Sequence, residues 1–300
     1  MMRLRRSELS TPASNERMME KAAGSSADLL FLDLEDSVSP NEKVASRAKV
    51  VRALKTLDWG KKTRAYRINA LDTEYAYQDI ISVVEEAGEY VDVIIVPKVK
   101  SAREVWWVDT LLTQIEKRLN LSKRIGLEVL IEEVEAIIHI EEIALASPRL
   151  EALIFGPADY SASQGMDSRV IEGHLDEYPG DPWHYARNRI AIAARMAGLD
   201  AIDGAFPDFK NLDGYRRECV RARVLGFAGK WAIHPNQITI ANQVFSPSQE
   251  EVAYARKLDA AYAESLANGL GAVAIDGKMI DVAVVRSLRN VIQKAELIGM

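Results

Sequence analysis

Residues 29–36 read Leu-Leu-Phe-Leu-Asp-Leu-Glu-Asp, an apolar strand that runs directly into three carboxylates. The same arrangement recurs along the chain, where short apolar and β-branched segments end in polar residues and alternate with segments of helical periodicity. The predicted strands lie at 6–11, 28–35, 63–69, 91–98, 124–132, 150–157, 199–204 and 229–233. This alternation predicts an α/β fold built on a parallel sheet.

Eight strands that alternate with helices fit either a closed (β/α)8 TIM barrel or an open doubly wound sheet. An open dinucleotide-binding sheet calls for a glycine fingerprint after its first strand, and the sequence contains neither GxGxxG nor GxxxxGK(S/T). We therefore expect a (β/α)8 barrel over residues 1–246, followed by a helical and hairpin extension over 247–300. The extension is expected to act as a lid or as an oligomer arm.

The composition excludes several classes of protein. A net charge of −6 argues against a nucleic-acid groove, and no apolar stretch reaches the roughly 20 residues that span a bilayer. The single cysteine, Cys219, rules out internal disulfides, and the N-terminus lacks the apolar stretch of a secretory signal. We expect a cytoplasmic protein without a nucleic-acid or membrane partner.

Polar residues at the carboxyl ends of barrel strands gather on the one face where active sites are built. Glu132 and Asp159 follow the fifth and sixth predicted strands as carboxylates at the end of apolar stretches. Two hard oxygen ligands on adjacent strands suit Mg²⁺ or Mn²⁺, and the four scattered histidines form no zinc motif. Independent salt bridges are the alternative interpretation.

Arg67, at the end of the third strand, is expected to lie in the same barrel mouth. A guanidinium there could neutralise a carboxylate, a phosphate or a developing enolate oxygen, or it could pair with Glu35 or Asp36. The two roles are compatible. A divalent cation, an arginine and spare carboxylates together suggest chemistry through an enolate, with the cation polarising a 2-oxo acid.

The chain continues beyond the eighth predicted unit. Residues 248–267 have the pattern of a helix, Asp276-Gly277 marks a tight turn between short strands, and Asp281 precedes a last helix at about 282–298. One interpretation is a helical cap or an oligomer contact. The other is a lid that carries Asp281 over an active site, its own or that of a neighbouring subunit.

An ordered set of motifs resembles the HpcH/HpaI aldolase and citrate lyase β-subunit-like superfamily over essentially the whole chain. The earlier motifs are Arg6-Ser-Glu-Leu9, Asp33-Leu-Glu-Asp-Ser37, Arg67-Ile-Asn69, Ile95-Val-Pro-Lys98, Glu128-Val-Leu-Ile-Glu132 and Phe155-Gly-Pro-Ala-Asp159. The later motifs most resemble the malyl-CoA/β-methylmalyl-CoA lyase branch. These are Asp181-Pro-Trp-His184, Gly229-Lys-Trp-Ala-Ile-His-Pro235 and Gly277-Lys-Met-Ile-Asp281.

The resemblance implies an oligomeric Mg²⁺-dependent barrel, a homotrimer or homohexamer, that cleaves a 3-hydroxyacyl-CoA to an acyl-CoA and a 2-oxo acid. By motif, Glu132 and Asp159 match the metal ligands, and Arg67 matches the arginine that holds the thioester or enolate oxygen. Asp281 matches the acidic residue of the lid. The carboxylates that surround Arg67 and the metal waters are matched by Glu35 and Asp36.

The resemblance also implies a binding site for CoA and substrate. Lys21 matches a basic residue near the CoA nucleotide, and the motifs place Pro157, Ala158 and Trp183 at the substrate pocket. Many relatives have Pro-Gly-Ser/Asn-Arg in the first loop, whereas residues 12–15 read Pro-Ala-Ser-Asn, so Arg17 is the candidate replacement for the missing arginine. The segment at 167–180 also looks shorter than in malyl-CoA lyases.

The sequence therefore predicts a lyase for malyl-CoA, β-methylmalyl-CoA or citramalyl-CoA that releases an acyl-CoA with glyoxylate or pyruvate. Three alternatives stay open: a malyl-CoA-type thioesterase, a CoA-independent 2-oxo-acid aldolase, and a citrate lyase β subunit that works in a larger complex. A non-catalytic barrel that serves as a binding module is the remaining hypothesis.

Overall fold

A computed structural model describes residues 3–169 and 180–300. In it eight parallel strands close into a barrel in chain order, and the first strand pairs with both the second and the eighth. The strands are β1 (Ser7–Pro12), β2 (Leu29–Asp33), β3 (Thr63–Arg67), β4 (Val93–Val96), β5 (Gly126–Ile131), β6 (Leu150–Phe155), β7 (Asp200–Asp203) and β8 (Gly229–Ala232). The predicted (β/α)8 barrel is confirmed.

Helices follow the strands and cover the outside of the barrel. In the part of the chain that the structure describes they are α1 (Glu16–Ala23), α2 (Lys43–Thr56), α3 (Ala76–Ala87), α4 (Ala102–Leu119), α5 (Val134–Ile138), α6 (Ile140–Ala144), α7 (Pro157–Gln164), α8 (His184–Ala197), α9 (Leu212–Leu225) and α10 (Pro235–Phe245). Short 3₁₀ turns lie at Pro40–Glu42 and Gly88–Tyr90.

The barrel interior is packed with apolar side chains from alternate strand positions, as expected for strands buried on both faces. Leu29 and Phe31 of β2 pack with Val93 and Ile95 of β4, all fully buried. Trp231 of β8 lies against Phe31, with ring centroids 4.6 Å apart. This packing fixes the strands, so that the residues at their carboxyl ends are held at defined positions around one rim.

The structure differs from the predicted elements mainly at this rim. Strand β6 ends at Phe155 rather than at residue 157, because Gly156 begins a turn and Pro157 stands at the first position of α7, where its fixed φ suits a helix. Asp159 therefore lies in the first turn of a helix. After β5 the helical segment is interrupted at His139, which separates α5 from α6.

The chain divides into two compact units, of which Arg5–Asn242 is the barrel. The second unit contains Gln243–Met300, with α11 (Gln249–Ala267), α12 (Val282–Leu297) and an antiparallel hairpin of β9 (Val273–Ile275) and β10 (Lys278–Ile280). Asp276 and Gly277 close the hairpin with φ of 50° and 76°, the left-handed conformation of a tight turn. None of the described helices is long and apolar enough to cross a bilayer.

Candidate active site

Arg67 and Asp33 form a buried ion pair at the rim, because β2 and β3 pair in a register that places Asp33 beside Arg67. Nε and Nη2 of Arg67 donate to the two carboxylate oxygens of Asp33 at 2.7 Å each, and Nη1 lies 2.8 Å from Glu35 Oε2. Burial by itself would raise the pKa of Asp33, but the guanidinium lowers the pKa below its usual value. Arg67 is therefore held in one orientation.

Lys98, directly after the proline that follows β4, joins this pair to the predicted metal ligands. Its ammonium donates to Glu35 Oε1 at 2.7 Å and to Asp36 Oδ1 at 3.3 Å, and it lies 3.9 Å from Asp159 Oδ1. Its backbone N–H donates to Glu132 Oε1 at 2.8 Å. We call Asp33, Glu35, Asp36, Arg67, Lys98, Glu132 and Asp159 the acidic cluster.

Glu132 is the more buried of the two predicted metal ligands, with 2% of its surface exposed. Burial first, and then the nearby carboxylates of Asp159 and Glu35, raise the pKa of Glu132 to about 8 against the opposing effects of Arg67 and the Lys98 backbone N–H. The close approach of Gly156 leaves room for this side chain, since a Cβ there would overlap the Glu132 carboxylate and lie 2.5 Å from its Cβ. The site thus carries more negative charge than its own cations offset.

These residues fit a divalent cation of the Mg²⁺ type. Glu132 and Asp159 present carboxylate oxygens, the ligands that Mg²⁺ prefers, and crowded carboxylates with a raised pKa gain from a nearby cation. Among the described residues no group of three or more His, Cys, Asp and Glu side chains is arranged to hold a metal. A two-carboxylate site leaves coordination positions for water and substrate oxygens, which is common for Mg²⁺ in enzymes.

A cavity of about 860 Å³ opens beside the acidic cluster. Among the residues that line it are the predicted site residues Asp36, Arg67, Glu132, Pro157, Ala158, Asp159 and Trp183. The structure therefore brings together seven side chains that the sequence assigned to one site. Glu35, which is not among the described residues of the lining, joins this group through ion pairs with Arg67 and Lys98.

A buried arginine fixes the wall of the cavity at Trp183. Arg187 of α8 lies between two aromatic rings, with its guanidinium carbon 5.4 Å from the Trp183 centroid and 5.6 Å from that of Phe155. Arg187 also binds Asp181 at 2.6 Å, and the Trp183 indole donates to Ser161 at 2.9 Å. These contacts tie residues 181–183 to α7 and α8.

The predicted CoA-binding residues lie on the short helix α1. Arg17 and Lys21 are exposed there and are four residues apart, so they share one helix face, but neither is among the described residues that line the cavity. Asn15, in the first loop, accepts a hydrogen bond from Met18 N at 3.1 Å and caps α1. Of the predicted short segment at 167–180, residues 170–179 lie outside the described residues.

Asp281 belongs to the second unit and is the N-cap of α12. Its carboxylate accepts hydrogen bonds from Ala283 N at 3.0 Å and Val284 N at 3.1 Å. This local role does not test the predicted catalytic one, which stays a prediction.

Sequence reasoning missed the parts that Asp33 and Lys98 play in the site. Both residues stand in the motifs Asp33-Leu-Glu-Asp-Ser37 and Ile95-Val-Pro-Lys98, but the sequence predicts no role for either. The signal available for both was a charged residue at the carboxyl end of an apolar strand, which gives the rim but not the contact partners.

The fold and the cavity define a (β/α)8 barrel enzyme, and comparison with known proteins gives its family. The model of the HpcH/HpaI aldolase/citrate lyase family matches residues 6–235. The L-malyl-CoA/β-methylmalyl-CoA lyase of Cereibacter sphaeroides is 42% identical, over 98% of this chain and 95% of that protein. The chain therefore belongs to the HpcH/HpaI aldolase/citrate lyase family, and the predicted family and enzyme class, an oxo-acid lyase, are confirmed.

Two further proteins bear on the chemistry. The (3S)-malyl-CoA thioesterase of Cereibacter sphaeroides is 36% identical, over 98% of this chain and 95% of that protein. The solved structure of CitE from Mycobacterium tuberculosis, in complex with magnesium, acetoacetate and coenzyme A, has a TM-score of 0.76 and 26% identity and covers 97% of both chains.

Proposed function

We propose that this protein is a Mg²⁺-dependent lyase that splits a 3-hydroxyacyl-CoA, L-malyl-CoA or β-methylmalyl-CoA, into an acyl-CoA and glyoxylate. The observation that carries the proposal is the placement of Arg67 beside the carboxylates of Glu132 and Asp159 in one cavity. Identity of 42% over nearly the whole length to malyl-CoA/β-methylmalyl-CoA lyases supports the same substrate class.

Glu132 and Asp159 would hold the cation, and Mn²⁺ is expected to replace Mg²⁺ because both prefer oxygen ligands. When bound, a divalent cation polarises the carbonyl or hydroxyl oxygen of the 2-oxo acid half of the substrate. CitE, which is similar in fold and was crystallised in complex with magnesium, supports the use of this cation. Glu35 and Asp36 then hold Lys98 and Arg67 beside it.

Arg67 would stabilise the half of the substrate that becomes an enolate. In the cleavage direction a carboxylate of the site would take the hydroxyl proton of the substrate, and the hydroxyl oxygen becomes the carbonyl oxygen of glyoxylate. The adjacent carbon–carbon bond breaks at the same time, and its electron pair passes to the thioester. The negative charge develops on the thioester oxygen, and a guanidinium already fixed by Asp33 offsets that charge without reorganising. A proton then returns to the α-carbon of the acyl-CoA.

Asp281 is the proposed carrier of that proton, in its own subunit or a neighbouring one, within a homotrimer or homohexamer. It lies at the head of α12, next to the hairpin strand β10, and we propose that this segment carries it as a lid. Arg17 and Lys21, on the exposed face of α1, would bind the phosphates of CoA. Helix α1 begins just after β1 ends, so it starts at the same rim of the barrel as the acidic cluster.

Hydrolysis of the thioester is the second candidate function, and the 36% identical malyl-CoA thioesterase favours it. Product analysis separates the two. The full-length protein is incubated with L-malyl-CoA and Mg²⁺, and acetyl-CoA, glyoxylate, malate and free CoA are quantified. Acetyl-CoA and glyoxylate in equal amounts support the lyase, whereas malate and free CoA in equal amounts identify a thioesterase.

Parallel reactions identify which acyl-CoA and which 2-oxo acid the protein uses. Acetyl-CoA or propionyl-CoA is combined with glyoxylate or pyruvate in the condensation direction, and the rate of each pair is compared. Condensation that requires no CoA thioester at all would identify a CoA-independent aldolase. Activity that appears only after a second protein is added would identify a subunit of a citrate lyase complex.

A further inference from the structure

Lys98 occupies a backbone conformation that normally selects a different residue. Its φ is 51°, in the left-handed region, where glycine carries no steric penalty and where asparagine and aspartate are the next most tolerated. A lysine held there indicates that its side chain offsets the strain. Such outliers concentrate at functional sites because the surrounding structure imposes them.

Both ends of Lys98 contact the acidic cluster. The left-handed turn directs the backbone N–H to Glu132 Oε1 at 2.8 Å, while the ammonium reaches Glu35 at 2.7 Å, Asp36 at 3.3 Å and Asp159 at 3.9 Å. One residue therefore contacts both proposed metal ligands and the two carboxylates between them and Arg67.

Lys98 contacts residues that line the cavity but is not itself part of the described lining. Asp36, Glu132 and Asp159 all belong to that lining. Three-quarters of the Lys98 side chain is covered, with 26% exposed. A mostly covered side chain that contacts several carboxylates of the cavity suits a group that orients other side chains rather than one that touches the reacting atoms.

We propose that Lys98 is a positioning residue of the cation site, which holds Glu132 by its backbone N–H and Asp159, Asp36 and Glu35 by its ammonium. This inference rests on the proposed function, since it assumes that Glu132 and Asp159 bind the cation. Residues that do not bind the metal but hydrogen-bond to its ligands commonly lower metal affinity by about 10- to 100-fold when they are removed.

The sign of the effect on cation affinity tests the role. Within the acidic cluster five carboxyl groups face two cationic side chains, Arg67 and Lys98. If Lys98 were only a nearby positive charge, its loss would increase the attraction for a divalent cation and tighten binding. If Lys98 positions the ligands, its loss weakens binding instead.

Mn²⁺ binding to the purified full-length protein provides a readout that does not depend on activity. Free Mn²⁺ is measured by electron paramagnetic resonance during titration of the wild type and of Lys98→Met, Lys98→Arg and Lys98→Gly. We expect Kd to rise about 10- to 100-fold in Lys98→Met and Lys98→Gly, and Lys98→Arg to recover part of the affinity. Lys98→Gly keeps the N–H and relieves the strained φ, so its melting temperature separates lost positioning from lost folding.

Lys100→Met is the matched control, because it removes the same charge two residues along the chain. Lys100 contributes its backbone N–H to Glu104, outside the acidic cluster. We expect its Mn²⁺ affinity to equal that of the wild type. If the wild type binds Mn²⁺ and Lys98→Met binds it equally well or more tightly, the positioning role alone is overturned. Failure of the wild type to bind Mn²⁺ would overturn the proposed cation site, and the positioning role with it.

Discussion

Arg67 and Asp33 face each other as a planar fork at the rim of the barrel, where two hydrogen bonds of 2.7 Å join the guanidinium to both carboxylate oxygens. The two residues end adjacent strands in register, and both are buried. A bidentate, charge-assisted pair of this kind fixes the plane of the guanidinium as well as its position. Arg67 is therefore preorganised for the charge that the proposed reaction develops.

Asp33→Asn should lower kcat about 10²- to 10³-fold, with a smaller change in KM, because the freed guanidinium no longer points at the developing enolate. Asp28→Asn is the matched control. Asp28, the residue directly before the same strand, binds Arg6 with an equivalent fork of 2.7 and 2.8 Å. We expect Asp28→Asn to lower the melting temperature and to keep kcat within a few-fold. Equal losses of kcat in both variants would contradict this role of Asp33.

Gly156→Ala should abolish cation-dependent activity while the barrel still folds. The added Cβ would overlap the Glu132 carboxylate, so that side chain must leave its present position. The measurement is Mn²⁺ affinity together with the circular dichroism spectrum of the variant. Gly24→Ala is the control, because the nearest atom to its Cβ would be the carbonyl oxygen of Lys21 at 3.6 Å. Normal Mn²⁺ affinity in Gly156→Ala would show that Glu132 is not a ligand.

Asp281→Asn separates the two roles of this residue. Asparagine caps a helix about as well as aspartate, so the melting temperature should stay within about 2 °C of the wild type. It cannot carry the proton, so kcat should fall at least about 100-fold. Asp276→Asn, in the neighbouring turn, is expected to retain full activity. A fully active Asp281→Asn enzyme would remove Asp281 from the catalytic set.

Glu8 makes the stability of the barrel depend on pH. Burial and then repulsion by Glu128 raise the pKa of Glu8 well above the ordinary 4.5, so the folded protein keeps this proton. The unfolded chain releases it above about pH 4.5, and stability therefore falls as pH rises from there towards the folded pKa, by at most about 1.4 kcal/mol per pH unit.

Glu8→Gln should flatten this dependence, because glutamine has no proton to lose. The free energy of unfolding in urea is measured from pH 5 to pH 8 for the wild type, Glu8→Gln and Glu20→Gln, which changes an exposed carboxylate. We expect Glu20→Gln to follow the wild-type slope. A Glu8→Gln slope parallel to that of the wild type would mean that Glu8 is ionised in the folded barrel.

The barrel could be predicted from the sequence because buried parallel strands leave continuous apolar runs that end in polar residues. Arg67, Glu132 and Asp159 were found in this way, and the structure places all three on one cavity. Helix α7 was missed because Pro157-Ala-Asp159 directly continues an apolar run, and no helical periodicity marks such a short polar helix. The predicted roles of Asp281, Arg17 and Lys21 stay predictions.

The roles of Asp33 and Lys98 depend on distances that a sequence pattern does not contain. Asp33 faces Arg67 because of the register between β2 and β3, and a shift by one residue would point it to the other side of the sheet. Lys98 meets Glu35 across 63 positions of the chain, through a left-handed turn that lysine seldom adopts. Periodicity and composition carry no information about either relationship.

Release of glyoxylate from L-malyl-CoA by the wild type, Glu132→Gln and Asp159→Asn tests the central claim most directly. Each protein is assayed with Mg²⁺ and again after removal of divalent cations with EDTA, and acetyl-CoA is measured in the same samples. We predict equal amounts of glyoxylate and acetyl-CoA from the wild type, loss of both with EDTA and recovery with added Mg²⁺. Both variants should lose at least about 100-fold in rate at any Mg²⁺ concentration. Wild-type rates in Glu132→Gln and Asp159→Asn, or cleavage that EDTA leaves unchanged, would contradict the proposed site.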